Sequence, residues 1–109
     1  MDIDKAISTA VKTGKVSFGS NSTIQSAKTG KAKMIVLAIN SPKNPREDIE
    51  YYSKLSNIPI LIYDGSSIDL AAICAKTFVV SALTIKEPGD SEILRLTEEE
   101  AEEAEGGMQ

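Results

Sequence analysis

The run Met34-Ile35-Val36-Leu37-Ala38-Ile39 constrains the fold most, because it is apolar throughout and never alternates with polar residues. A strand with one wet face alternates. A short unbroken run therefore marks a strand covered on both faces, as in a layered domain with helices on either side of a sheet. Its flanks agree: Gly30-Lys31-Ala32-Lys33 leads in and Asn40-Ser41-Pro42 leads out, polar punctuation at both ends.

Helical patterns surround that strand. Asp2 and Asp4 open a predicted helix reaching about Thr13, with Ile3, Ile7 and Val11 on one face and Gly14 as its stop. Val16-Ser17-Phe18 reads as a short strand, and residues 23–28 as the core of a second helix. In Asn44-Pro45-Arg46-Glu47, Asn44 is expected to cap a third helix, with Pro45 in its first position and Glu47 completing a capping-box-like pair. That helix extends to about Leu55, turns Ile49, Tyr52 and Leu55 or Ser56 inward, and ends at Asn57. Residues 58–63 form a strand with Pro59 at its start or on an edge, since proline gives the ladder no donor. After the turn Asp64-Gly65-Ser66, a helix is expected over 67–75 and a strand over 82–85, with a helical turn over 89–94 and a short strand after it. Such alternation implies the α/β class: a three-layer α/β/α sandwich around one mainly parallel sheet.

The length of 109 residues suits one small domain, taken as 1–96, followed by an acidic and flexible tail over 97–109. Cys74 is the only cysteine, so no disulfide forms within the chain, and its neighbours Ala71, Ala72, Ile73 and Ala75 suggest a small buried hydrophobe. Without histidine, the usual zinc sites are excluded, and no cofactor is expected. Neither a signal peptide nor a membrane-length apolar run is present, which predicts a soluble intracellular protein. Asp64, Asp69 and Asp90 have no spacing that nominates an acid–base pair, and Ser66-Ser67 lacks a nucleophile elbow, so an enzyme is not expected.

The charges are segregated. Residues 1–46 hold eight basic and two acidic side chains, with no acid between Lys5 and Arg46, while residues 98–105 hold six glutamates and no positive charge. Such asymmetry points to nucleic-acid contact beside an acidic tail. Within the basic part, a strand runs into Gly19-Ser20-Asn21-Ser22-Thr23 and then a helix, the setting in which backbone N–H groups and the helix dipole receive anions. The same residues are also ordinary helix-starting chemistry, with Ser22 as cap and Gln25 completing a capping box. Neither the Walker pattern nor the dinucleotide fingerprint is present.

The stretch from Gly19-Ser20-Asn21-Ser22 through Lys28 and Gly30 to Asn40 resembles the family of ribosomal protein thirty of the large subunit, archaeal/eukaryotic type. Glu47-Asp48-Ile49-Glu50-Tyr51-Tyr52-Ser53-Lys54, Lys76-Thr77-Phe78-Val79-Val80-Ser81 and Pro88-Gly89-Asp90-Ser91 are similar to later parts of the same family, so the resemblance spans about residues 3–96. It implies a mixed four-stranded sheet and a structural role in the ribosome of the cytoplasm. It also implies that loops at one end of the sandwich bind ribosomal RNA with a kink-turn or internal loop. Gly19, Ser20, Asn21, Ser22 and Gln25 would make the first contact region, Asn40 and Ser41 the second, and Lys76, Thr77, Phe78 and Val79 the third. Phe78 would meet an extruded base, unless its ring enters the core, and Lys28, Lys31 and Lys33 would hold phosphates.

Two positions depart from the family pattern, Ser20-Asn21-Ser22 and Val79, where basic residues often stand. Asn21 instead is similar to the Gly-x-Asn-Glu turn of the wider L-seven-Ae-like kink-turn superfamily, with Ser22 in place of the glutamate. The remaining alternatives are a kink-turn protein of a non-ribosomal particle and a small α/β module for a phosphorylated ligand. Neighbouring ribosomal proteins are expected contacts, no membrane partner is expected, and the free protein should be a monomer.

Overall fold

A computed structural model describes residues 3–91 and 93. The order is α1 (Ile3–Thr13), β1 (Lys15–Phe18), α2 (Ser20–Thr29), β2 (Met34–Ala38), α3 (Lys43–Leu55), β3 (Ile60–Tyr63), α4 (Ser67–Ile73) and β4 (Ala82–Glu87). The four strands form one sheet in the order β1-β4-β2-β3.

β2 lies inside the sheet, and all of its residues are buried. Alternate side chains serve the two faces. Met34, Val36 and Ala38 join Ala6, Ile7 and Ala10 of α1 and Leu70 and Ala71 of α4 in one core cluster. Ile35 and Leu37 join Ala27 of α2 and Ile49 of α3 in the other. Helices therefore cover both faces of a mixed sheet, as the alternation implied. Ile39 corrects the end of the strand: it lies past β2 and is 53% exposed.

The expected parallel majority is not there. β2 and β3 are parallel, but β4 is antiparallel to both β1 and β2. The reason lies in α4, whose seven residues climb only about 10 Å. Ala75 then takes φ 57° and the chain turns back, so that the Val80 N–H donates to the Ser67 carbonyl at 3.1 Å. β4 thus begins at the end where α4 began, and must run downward.

Helix starts also differ from the sequence reading. α2 begins at Ser20 and not near Thr23, with Gly19 in the cap position and no side-chain cap, so Ser22 lies inside the helix. α3 begins at Lys43 with Pro42 in the cap position, which places Asn44 and Pro45 inside its first turn. The Ser41 hydroxyl sits between the carbonyls of Ala38 (2.7 Å) and Ser81 (2.6 Å), and pins the turn just ahead of that helix. By contrast α4 has a full capping box. The Ser66 hydroxyl accepts from the Asp69 N–H, and the Asp69 carboxylate accepts from the Ser66 N–H.

Ile49 is buried and Tyr52 half-buried as expected, whereas Leu55 is exposed and the Ser56 hydroxyl donates to the Ala27 carbonyl. β3 starts at Ile60, after Pro59, whose carbonyl accepts from the Ile35 N–H. Cys74 is buried, and desolvation pushes its thiol up to about 11. No helix among the described residues is long and apolar enough to cross a membrane. The helical turn expected near 89–94 is described only in part, and the strand after it and the acidic tail lie outside the described residues.

Candidate RNA interface

Strand direction decides which loops meet. β1, β2 and β3 all point one way and β4 the other. The ends of the first three and the start of the last therefore share one pole. Hydrogen bonds stitch that pole together: the Gly19 N–H donates to the Ala82 carbonyl at 2.9 Å, the Ala38 N–H to Ser81 at 2.9 Å, and the Ile39 N–H to Gly65 at 3.0 Å. Three predicted contact regions, at Gly19, Asn40 and Lys76–Val79, are brought together there.

Gly19 has φ 103° and ψ 152°, a conformation in which essentially only glycine is at ease. Nothing lies within 4 Å of where its Cβ would stand, so conformation rather than crowding requires glycine. The Thr23 hydroxyl donates to the Gly19 carbonyl at 2.8 Å and accepts from the buried Thr84 hydroxyl at 3.1 Å, which ties the turn to the sheet. Thr23 is thus structural and fully buried, while Ser20 and Ser22 are half-buried and Asn21 is exposed. Asn21, Gln25 and Lys28 are all exposed and recur at helical spacing, forming one stripe down α2. The Lys28 ammonium lies 5.0 Å from the centre of the Tyr52 ring.

Asn40 braces its own loop. Its side-chain oxygen accepts from the Ser67 N–H at 2.8 Å, at the start of α4. Ser41, between its two carbonyls, is likewise committed to holding the pole in shape. Ring burial is not the fate of Phe78, which is 52% exposed. Its ring makes a T-shaped pair with Phe18, centres 6.1 Å apart, and the Lys76 ammonium stands 4.9 Å from the Phe18 ring. With Val79, Thr77, Lys76, Ile68 and the α4 alanines it lines an open cleft of about 290 Å³.

Sequence reasoning missed two residues here. Ile39 was counted into the buried strand and Ile68 was not singled out, yet both are exposed at or beside the loop pole. The capping box at Ser66 could have placed Ile68 on the first turn of α4, but burial of its face was not legible. Two other predicted contacts are not brought to the pole. Lys31 and Lys33 precede β2, and the Lys33 N–H donates to the Ile85 carbonyl near the far end of β4.

The loop pole thus sets polar donors and acceptors around an exposed apolar ledge. The model of the Ribosomal protein L7Ae/L30e/S12e/Gadd45 family matches residues 1–95, and the chain belongs to that family. It is similar to large ribosomal subunit protein eL30 of Methanothermobacter thermautotrophicus, 53% identical over 96 residues that cover 88% of this chain and 98% of the relative. The same protein of Methanosphaera stadtmanae is 52% identical over 90% of this chain and 100% of the relative. That of Methanocaldococcus jannaschii is 50% identical over 90% and 89%.

Proposed function

We propose that this chain is a non-catalytic structural protein of the archaeal-type large ribosomal subunit, working in the ribosome of the cytoplasm. In this reading it grips a kink-turn or internal-loop RNA with its loop pole. The carrying observation is the convergence of the Gly19, Asn40 and Lys76–Val79 loops at one end of the sheet, with Phe78 left half in solvent. The matched relatives support the ribosomal setting over a non-ribosomal particle, because the likeness runs through nearly their whole length.

In this reading Ser20, Asn21, Ser22 and Gln25 bond bases and phosphates, the rigid Asn40–Ser41 turn supports the centre, and Phe78 with Val79 receives an unstacked base. A kink exposes such bases and a straight duplex does not. The test compares a kink-turn RNA with a straight duplex of equal length at the same salt. Submicromolar and selective binding is expected, and equal affinities would overturn the proposal. Phe78→Ala should lower kink-turn affinity by about 1–3 kcal/mol with the fold intact, since the ring is exposed. Unchanged affinity would remove Phe78 from the interface.

A further inference from the structure

Lysines that lie near the Gly19 turn in sequence are delivered to the other end of the sheet in space. β2 separates Lys33 from Asn40, and its five residues alone span roughly 13 Å. At that far pole β1 and β2 both begin and flank the end of β4. Lys15 pairs with Glu87 and Met34 with Ile85, so Lys15 and Lys33 stand on either side of β4, about 10 Å apart at the backbone. Lys86 occupies the bulge between the β1–β4 pairs, and Lys31 lies two residues before Lys33.

Lys12 joins them from the last turn of α1. Gly14 follows it and packs so closely that an added Cβ would fall 2.0 Å from the Glu87 carbonyl oxygen. Lys12, Lys15, Lys31 and Lys33 are all exposed. The ion pairs Lys43–Glu47 and Arg46–Glu50 lie on α3, and none of these four lysines forms one among the described residues. Of the described acids, Glu87 and Asp90 lie near this pole, and neither comes within 4.0 Å of a lysine ammonium among the described residues.

We propose that the pole where β1 and β2 begin is a second RNA surface, which takes the phosphate backbone of a duplex while the loop pole is occupied. It builds on the RNA reading of the loop pole but uses none of its residues. Lysine is depleted at protein–protein contacts, and as a point charge it suits phosphates and not base edges. Binding here is therefore blind to sequence and steep in salt. One molecule then holds two RNA segments at opposite ends.

The test uses the full chain and the variant carrying Lys12→Gln, Lys15→Gln, Lys31→Gln and Lys33→Gln. Equal melting temperatures check that both are folded. A labelled straight RNA duplex is titrated against each protein at several salt concentrations, alone and after saturation with a kink-turn hairpin. The wild type should add duplex to the preformed complex. The variant should lose at least about 10-fold in duplex affinity at low salt, flatten the log–log salt slope by about 3–4, and keep its hairpin affinity within about 3-fold.

Displacement of the hairpin by duplex, or an unchanged slope in the variant, would overturn the proposal. If the hairpin fails to bind at all, the loop-pole reading falls, and the slope measured on protein alone still decides this one. Duplex binding seen only after residues 97–109 are deleted would assign the pole to the acidic tail and overturn RNA as its occupant.

Discussion

At the pole where β1, β2 and β3 end, exposed Asn21, Asn40, Ile39, Phe78 and Val79 surround the single lysine of the third loop, Lys76; where β1 and β2 begin, Lys12, Lys15, Lys31 and Lys33 are exposed together. The loop pole is cross-braced by Gly19–Ala82, Ala38–Ser81 and Asn40–Ser67 hydrogen bonds, whereas the lysines opposite are single side chains on separate elements. Fixed donors and an apolar ledge can discriminate shapes, because a misfit leaves buried polar groups unpaired. Mobile ammonium groups cannot discriminate, but they add attraction over a long range. In the proposed reading, selectivity and attraction are thus located at different ends of one sheet.

Glycine shows the same contrast and supplies the largest expected effect. Gly14, at the lysine pole, needs space: a Cβ would collide with the Glu87 and Pro88 backbone. Gly14→Ala should cost about 3 kcal/mol in urea unfolding, and a cost under about 0.5 kcal/mol would show that the α1–β4 junction yields freely. Gly19, at the loop pole, needs only its conformation, and Gly19→Val should cost about 1–3 kcal/mol. That variant should also lose kink-turn affinity while its duplex salt slope stays unchanged. Parallel loss of both would mean that the poles are not independent.

Thr23→Val should cost about 1–2 kcal/mol by stranding the buried Thr84 hydroxyl, and should weaken the loop pole alone. Cys74 lies between these effects and the smallest. Its folded thiol holds its proton to about 11 against an ordinary value of 9.0. The unfolded chain ionises first, so this contribution to stability is complete below about pH 9 and fades as pH rises towards 11. A stability profile that rises over that window, or one equally steep in Cys74→Ala, would contradict it. Ser53→Ala should be the mildest change, neutral or stabilising by up to about 1 kcal/mol, because its buried hydroxyl has no partner among the described residues.

Much of the fold was legible, because its strongest signal is local. Met34–Ala38 is apolar whichever face is considered, and the helices around it carry their own periodicity. The sheet order was not legible. No residue of Ala82–Glu87 announces that the strand enters between β1 and β2; that follows from a short α4 and the reversal at Ala75. Two helix starts were misplaced because Ser22 and Asn44 are good capping residues in sequence, while Gly19 and Pro42 hold the actual cap positions. At the site, Gly19, Asn21 and Phe78 are exposed where sequence reasoning wanted them. Lys31 and Lys33 lie at the other end of the sheet for a physical reason: nearness in sequence is undone by one helix, since α2 carries the chain the length of the sheet.

The insertion of β4 has a consequence for how the molecule is made. The central partner of both β1 and β2 is the last strand among the described residues to be synthesised, so earlier elements wait with open ladder edges until residue 87 emerges. Ala82 and Ser81 are also the anchors of the first two loops, so the loop pole takes its shape only once β4 has joined the sheet.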